Sequence, residues 1–293
     1  MTLRSSTAVK LISVITPCFN AEKYIAETVR SVINNSVFQD GRAFLEYIIC
    51  DGGSTDKTCE IVKEIIHETP LRNIKLTLCS EQDRGMYEAL SKGLRKVSGD
   101  FCAYLNAGDF YSPTAIEIVL DIFCRTDVKW LTGLQVRYNE QSHLLSANLP
   151  FKFRRPLCQC GRYGGTLPFI QQESTFWDTS LNSLVDLDRL SQFRYAGDFF
   201  LWKSFASREQ LYIVEAWLGG FKVHQNQLSD NLEAYRSEMN SVADPCTAGN
   251  YLLSLVDKII WHSPNRIKRF FNRDTLYSFD FKKLQYELNV SNF

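Results

Sequence analysis

Four aspartates, Asp51, Asp83, Asp109 and Asp198, stand where an apolar run gives way to polar residues or opens a helix. A carboxylate at such a place can bind a base or ribose, hold a hard cation, or take a proton from a hydroxyl. It can equally serve as a turn former or helix N-cap, which is the commoner use. Residues 101–110 (FCAYLNAGDF) show the pattern best, because a run of strand length breaks off into Asn106, Gly108 and Asp109. A buried strand of a mostly parallel sheet looks like this where it leaves for a loop. Ligands of open α/β sheets bind in the crevice beyond those strand ends.

The elements that must position these groups follow one logic. Residues 11–15 read as a buried strand closed by Thr16, Pro17 and Asn20, and Asn20 is placed as the N-cap of a helix carrying Tyr24, Ile25, Val29, Val32 and Ile33. Residues 46–50 form a second strand. Gly52 and Gly53 let the chain turn so that Asp51 stays at its tip, and Asp56 caps a helix over 57–67. Here ligand and turn roles for Asp51 both stay open. A third strand over 74–79 passes Asp83 and Arg84 into a helix over 86–97. Four successive strands therefore carry Thr16, Asp51, Asp83 and Asp109 to one edge, which packing alone does not require and a nucleotide-binding crevice does.

Composition sets the bounds. A chain of 293 residues fits one large domain, or one domain with an appendage, and its formal charge of zero gives no reason to expect nucleic acid. Twenty Phe, 13 Tyr and 5 Trp suit carbohydrate stacking or a membrane-facing surface, and equally an ordinary core. Nine cysteines scattered through apolar segments read as reduced core thiols, and Cys158-x-Cys160 lacks the second pair or histidine that zinc would need. Residues 1–9 read as a flexible leader without the apolar core of a signal peptide, and no run approaches the ~20 apolar residues of a membrane span. The expectation is a cytoplasmic protein.

In order, the segments SVITPCFN (13–20), ICDGGSTD (49–56), EQDRG (81–85) and YLNAGD (104–109) resemble the GT-A glycosyltransferases of family 2. They are especially similar to the bacterial branch that builds colanic acid, capsule and O-antigen. The resemblance covers roughly residues 10 to 225. It implies an α/β fold of GT-A type, with a Rossmann-like, mostly parallel sheet flanked by helices, followed by a helical extension over 226–293.

The resemblance also implies roles. Thr16, Pro17, Asp51, Asp83 and Arg84 would contact the nucleotide, with Asn106, Ala107 and Gly108 beside the sugar and ribose. The family's Asp-x-Asp motif is eroded here, since Asn106 and Gly108 replace two carboxylates and Asp109 alone remains to hold Mg²⁺ or Mn²⁺. His224 would complete the metal site, although a structural role is as common for a lone His. Gln172, Glu173 and Trp202 fall on the acceptor side, and Asp198 matches the catalytic base. Asp198 would deprotonate an acceptor hydroxyl as it attacks the anomeric carbon in one inverting displacement.

The implied partners are a nucleoside-diphosphate sugar and a saccharide or lipid-linked acceptor, with a homo-oligomer also allowed. Two functional alternatives stay open: a sugar-phosphate nucleotidyltransferase and a non-catalytic nucleotide-sugar-binding partner.

Two later segments carry further expectations. Residues 151–168, with Arg154, Arg155, Arg162 and several glycines, could close over a diphosphate or remain an ordinary loop. After residue 229 the spacing turns helical, and Pro264 precedes a basic, aromatic stretch over 266–273. That stretch reads either as an interfacial anchor on the cytoplasmic face of the inner membrane or as a packed helix. Its shortness favours packing.

Overall fold

In a computed structural model, residues 9–69, 72–223, 227 and 231–288 are described. The chain opens with β1 (Lys10–Cys18), α1 (Ile25–Ile33), α2 (Ser36–Gln39), β2 (Ala43–Asp51), α3 (Thr58–Glu68), β3 (Ile74–Ser80), α4 (Met86–Leu94) and β4 (Phe101–Tyr104). Its middle holds β5 (Phe110–Tyr111), α5 (Ala115–Arg125), β6 (Trp130–Thr132), β7 (Gln135–Tyr138), β8 (Leu144–Asn148), α6 (Arg155–Gln159), β9 (Thr175–Asp178) and α7 (Leu187–Leu190). Then come α8 (Gly197–Ala206), β10 (Tyr212–Val214), β11 (Gly219–Lys222), α9 (Leu232–Val242), α10 (Ala248–Trp261), α11 (Asn265–Phe271), β12 (Leu276–Asp280) and β13 (Gln285–Leu288).

A nine-stranded sheet in the order β13-β12-β10-β6-β9-β4-β1-β2-β3 forms the centre. β1 pairs in parallel with both β2 and β4, and β2 with β3, so the strands expected to share an edge do so. The aliphatic runs of β1, β2 and β4 are buried along nearly their whole length. That is the requirement for parallel strands covered by helices on both faces. β9 runs antiparallel between β4 and β6. A smaller sheet, β5-β11-β7-β8, lies beyond the end of β4.

An aromatic cluster gathers around Trp202 in the core. Trp202 stacks on Trp130 at 5.7 Å and on Tyr104 at 6.4 Å, with Trp177 edge-on at 5.9 Å.

The structure corrects the expectations for Asn20 and for the segment after residue 226. Asn20 does not cap α1: it adopts a left-handed conformation (φ 47°), its side chain accepts from the Thr55 N–H, and α1 begins only at Ile25. β6 and β7 are separated at Gly133, where a Cβ would lie 2.8 Å from the Ala216 carbonyl. The three arginines of 151–168 are each engaged with neighbouring elements. Arg154 forks onto Asp257 (2.8 and 3.1 Å), Arg155 donates to the carbonyls of Ala206 and Ser207, and Arg162 donates to Ser254. They fasten the loop to α8 and α10.

Finally, the segment after 226 is not helical to its end. β12 pairs in parallel with β10 and extends the central sheet, with β13 turned back along it.

Among the described residues no helix is long and apolar enough to cross a membrane. All nine cysteines are free, with Cys160 and Cys246 bringing their sulfurs to 3.3 Å.

Candidate functional site

At the tip of β2, Asp51 is 2% exposed and saturated by its own turn together with Ser80 of β3. Its carboxylate accepts from the N–H groups of Gly53 (3.1 Å) and Ser54 (3.0 Å) and from the hydroxyls of Ser54 and Ser80. Burial alone would raise its pKa, but these donors outweigh it and hold the group below the usual carboxylate range. Of the two roles left open, turn former is the one this geometry displays.

Thr16 is fully buried with its hydroxyl 2.9 Å from that of Tyr47, and Pro17 is buried beside it. Asp83 is half-buried, accepts from the Gly85 N–H, and is raised in pKa by burial. Arg84 folds back onto Glu88 at 2.6 Å along α4. Phe19, 60% exposed at the end of β1, is an aromatic face at this edge that periodicity does not single out.

The second cluster lies past β4. Asp109 is 4% exposed and accepts from the Gln172 amide (2.9 Å) and the Lys222 backbone N–H (3.0 Å). Burial pushes its pKa up to about 7 in spite of those bonds. Glu173 is 1% exposed, and burial followed by the Asp109 charge raises it well above its ordinary value. Oxygens of Asn106, Gln172 and Glu173 are buried without a hydrogen-bond partner among the described residues. Gly219 permits this packing, since a Cβ there would fall 1.9 Å from the Glu173 carbonyl. Lys222 is itself buried and pairs with Glu27. Its register on β11, beside β5, delivers its N–H to Asp109.

The surroundings of Asp109 are thus rich in oxygen acceptors and short of donors. Such a set fits a hard divalent cation, which prefers oxygen ligands. Among the described residues no three His, Cys, Asp or Glu side chains converge as a ready cage, and His224 lies outside the described residues. Gln172 and Glu173, expected toward the acceptor, lie against Asp109. Trp202, expected with them, is 3% exposed within the aromatic core, a supporting position and not a contact surface.

The third group is built around Asp198 in the first turn of α8, partly accessible while its neighbours are buried. A helix N-terminus favours the ionised carboxylate. Burial nevertheless dominates and raises its pKa to about 6, against hydrogen bonds from the Phe199 N–H (2.7 Å), Tyr235 and Tyr87. The Tyr87 hydroxyl lies 3.3 Å from Asp198 and 3.1 Å from the Tyr195 carbonyl. Gly197 makes room for it, because a Cβ there would stand 2.4 Å from the Tyr87 ring.

From α9, Glu238 accepts from three consecutive N–H groups, those of Arg194 (2.8 Å), Tyr195 (2.7 Å) and Ala196 (2.6 Å). Tyr87, Tyr235 and Glu238 are positioning groups that local patterning does not reveal. Tyr104, buried between the clusters, has its phenol raised well above its usual pKa by burial and then by the charges of Asp198, Glu173 and Asp109. The second and third groups therefore share one electrostatic neighbourhood. Asp51 lies on β2, two strands from β4, about 10 Å away by strand spacing.

The sequence profile described as Glycosyl transferase family 2 matches residues 13–182. The chain is 33% identical over 115 residues to the chondroitin synthase of Escherichia coli, covering 39% of this chain and 16% of that one. It spans between 16% and 64% of the lengths of the first three curated relatives it matches.

Among solved structures, the fold resembles S. aureus TarS 1–349 in complex with UDP-GlcNAc (TM-score 0.53, 14% identity, 89% of this chain and 71% of that one). It also resembles the mannosyltransferase PcManGT from Pyrobaculum calidifontis in complex with GDP-Man and Mn²⁺ (TM-score 0.52, 16% identity, 88% and 72% covered).

Proposed function

Since this chain belongs to glycosyl transferase family 2, we propose that it is an inverting enzyme. It moves a sugar from a nucleoside-diphosphate sugar to a hydroxyl of a saccharide or lipid-linked saccharide, in the synthesis of a bacterial surface polysaccharide. Residues 10–225 form the catalytic unit and 226–293 an extension, with the protein working on the cytoplasmic side of the inner membrane. The observation that carries this reading is Asp198, a partly accessible carboxylate held by two tyrosines from other elements and raised by burial to a pKa of about 6. A general base works best with a pKa close to the operating pH.

In this reading Asp198 takes the proton of the acceptor hydroxyl while that oxygen bonds to the anomeric carbon. The bond from that carbon to the nucleoside diphosphate breaks on the opposite face, so configuration inverts and no second nucleophile is needed. The edge formed by Thr16, Pro17, Asp51, Asp83 and Arg84 receives the nucleotide largely through its backbone, because the Thr16 and Asp51 side chains are already engaged. Asn106, Ala107 and Gly108 lie where the sugar would pass.

Asp109 and Asn106, with His224, would hold a Mg²⁺ or Mn²⁺ ion. When bound, such an ion neutralises charge on the departing diphosphate. Gln172 holds Asp109 in place by its amide.

The test is a thermal-shift survey of nucleoside diphosphates and their sugars, UDP forms first. It is followed by NMR assignment of the anomeric configuration in the product made with the best donor. A raised Tm and an inverted product support the reading. Retention of configuration, or pyrophosphate as the released product, overturns it.

A further inference from the structure

α10 packs Leu253, Ile260 and Trp261 on the core and shows a second apolar stripe to the outside. A helix on a protein surface normally buries its apolar stripe and shows its polar one. Here the buried positions are Ser254, Asp257 and Trp261, whereas Tyr251, Leu252, Leu255, Val256 and Ile259 are 54%, 65%, 40%, 46% and 74% exposed. The two buried polar residues of the inward face have partners. Asp257, 0% exposed, takes the Arg154 fork, and Ser254 accepts from Arg162. The outward apolar face continues onto α11, where Ile267, Phe270 and Phe271 are 43%, 50% and 48% exposed. The face is far more apolar than isolated surface residues would make it, so it calls for a cover.

The charges around it identify that cover. Asp257 is the sole acidic residue between 248 and 273, and it is buried, while Lys258, Arg266 and Arg269 are exposed. Arg273 stacks at 4.1 Å on the Phe270 ring. Arg269 is paired with Glu215, so Lys258 and Arg266 are the cations most able to meet an outside anion. A second copy of the chain docking by two-fold symmetry would bring a patch whose exposed charges are all positive against an identical one. An apolar layer bordered by anionic headgroups matches both features, as it does for interfacial helices that lie flat in a bilayer surface.

We propose that the α10–α11 face docks onto an anionic lipid bilayer, with α10 lying in the surface plane along its length of about 20 Å. This rests on the reading of a lipid-linked acceptor and adds the surface by which the enzyme reaches it. The basic, aromatic stretch over 266–273 is the smaller part of the contact, and the larger part is the α10 face.

The experiment uses the full chain and vesicles of phosphatidylcholine with or without phosphatidylglycerol, read by co-sedimentation. The wild type is expected to bind the phosphatidylglycerol vesicles. The triple variant Leu252→Ser, Ile259→Ser, Phe270→Ser should lose at least ~100-fold in partitioning, a conservative figure for three buried apolar side chains. Lys258→Gln with Arg266→Gln should cost about fivefold per charge on anionic vesicles and nothing on neutral ones.

Unchanged melting temperature and donor-induced thermal shift in each variant establish that the fold and donor site are intact. Failure of the wild type to bind anionic vesicles, or equal binding by the triple variant, overturns the proposal. So does a dimer in sedimentation velocity that the triple variant abolishes, which would make a second copy the cover. If vesicle binding behaves as described but no nucleotide sugar shifts the wild-type Tm, the surface stands and the functional reading fails.

Discussion

The hydroxyl of Tyr87 stands 3.3 Å from the carboxylate of Asp198, although 111 residues separate them in the chain. One comes from α4 and the other from α8, so the environment that sets the carboxylate's affinity for protons is made by the tertiary fold. Tyr235, from α9, completes it.

Replacing Asp198 by Asn removes the proposed base while keeping the shape of the side chain. Turnover should fall by at least ~100-fold, the lower range for a lost general base, with donor affinity near normal. Steady-state kinetics beside a donor titration checks this, and an Asn variant as active as the wild type would remove Asp198 from the mechanism.

The pH–rate profile should show an acidic limb near pH 6, because Asp198 must be ionised to accept a proton and burial raises its pKa to about 6. Tyr235→Phe deletes a donor to that carboxylate, so the limb should move to higher pH and kcat at pH 6 should drop several-fold more than kcat at pH 8. A purely structural loss would scale both rates equally and leave the limb in place.

Asp109→Asn tests the buried carboxylate through stability. The folded-state pKa of about 7 lies above the ordinary 3.8, so the folded protein binds the extra proton. Wild-type stability should therefore fall as pH rises from about 4 to about 7 and level off beyond. The Asn variant lacks that penalty and, in chelator, should melt higher than wild type at pH 8 and about equally at pH 3.5. Gln172 can turn its partnerless oxygen toward the new amide, which keeps the swap compatible with the fold. Added Mn²⁺ should raise the wild-type Tm and leave the variant's unmoved. Equal responses would place the cation elsewhere.

Glu238→Ala leaves three adjacent N–H groups before α8 without their acceptor. A destabilisation of about 1–3 kcal/mol is expected, measured by denaturant unfolding. The same variant should weaken kcat more than KM, because the loop it fixes leads to Asp198, the proposed base, and not to the proposed nucleotide edge.

Much of this was legible in the chain. The alternation of apolar strand runs with helical spacing gives β1 to β4 and their shared edge, and Asp198 is visible as a carboxylate opening an apolar helix. What local patterning cannot supply is partnership at a distance. Tyr87, Tyr235 and Glu238 carry no signal of their own, since a buried Tyr or a helix-face Glu is ordinary until its partner is known. Nor does spacing show which face of α10 is inward. Periodicity divides the helix into two stripes, and the burial of the Asp257 and Arg154 pair decides between them. The resemblance put Trp202 on the acceptor side, whereas its neighbours Trp130 and Trp177 enclose it.

β12 has a consequence for how the protein is made. Until residues 276–280 leave the ribosome, the outer edge of β10 has no parallel neighbour, and an open strand edge invites pairing with other chains. Sheet completion therefore waits on late synthesis, so chains stopped by a premature codon between 226 and 275 should aggregate even though they carry every proposed catalytic side chain.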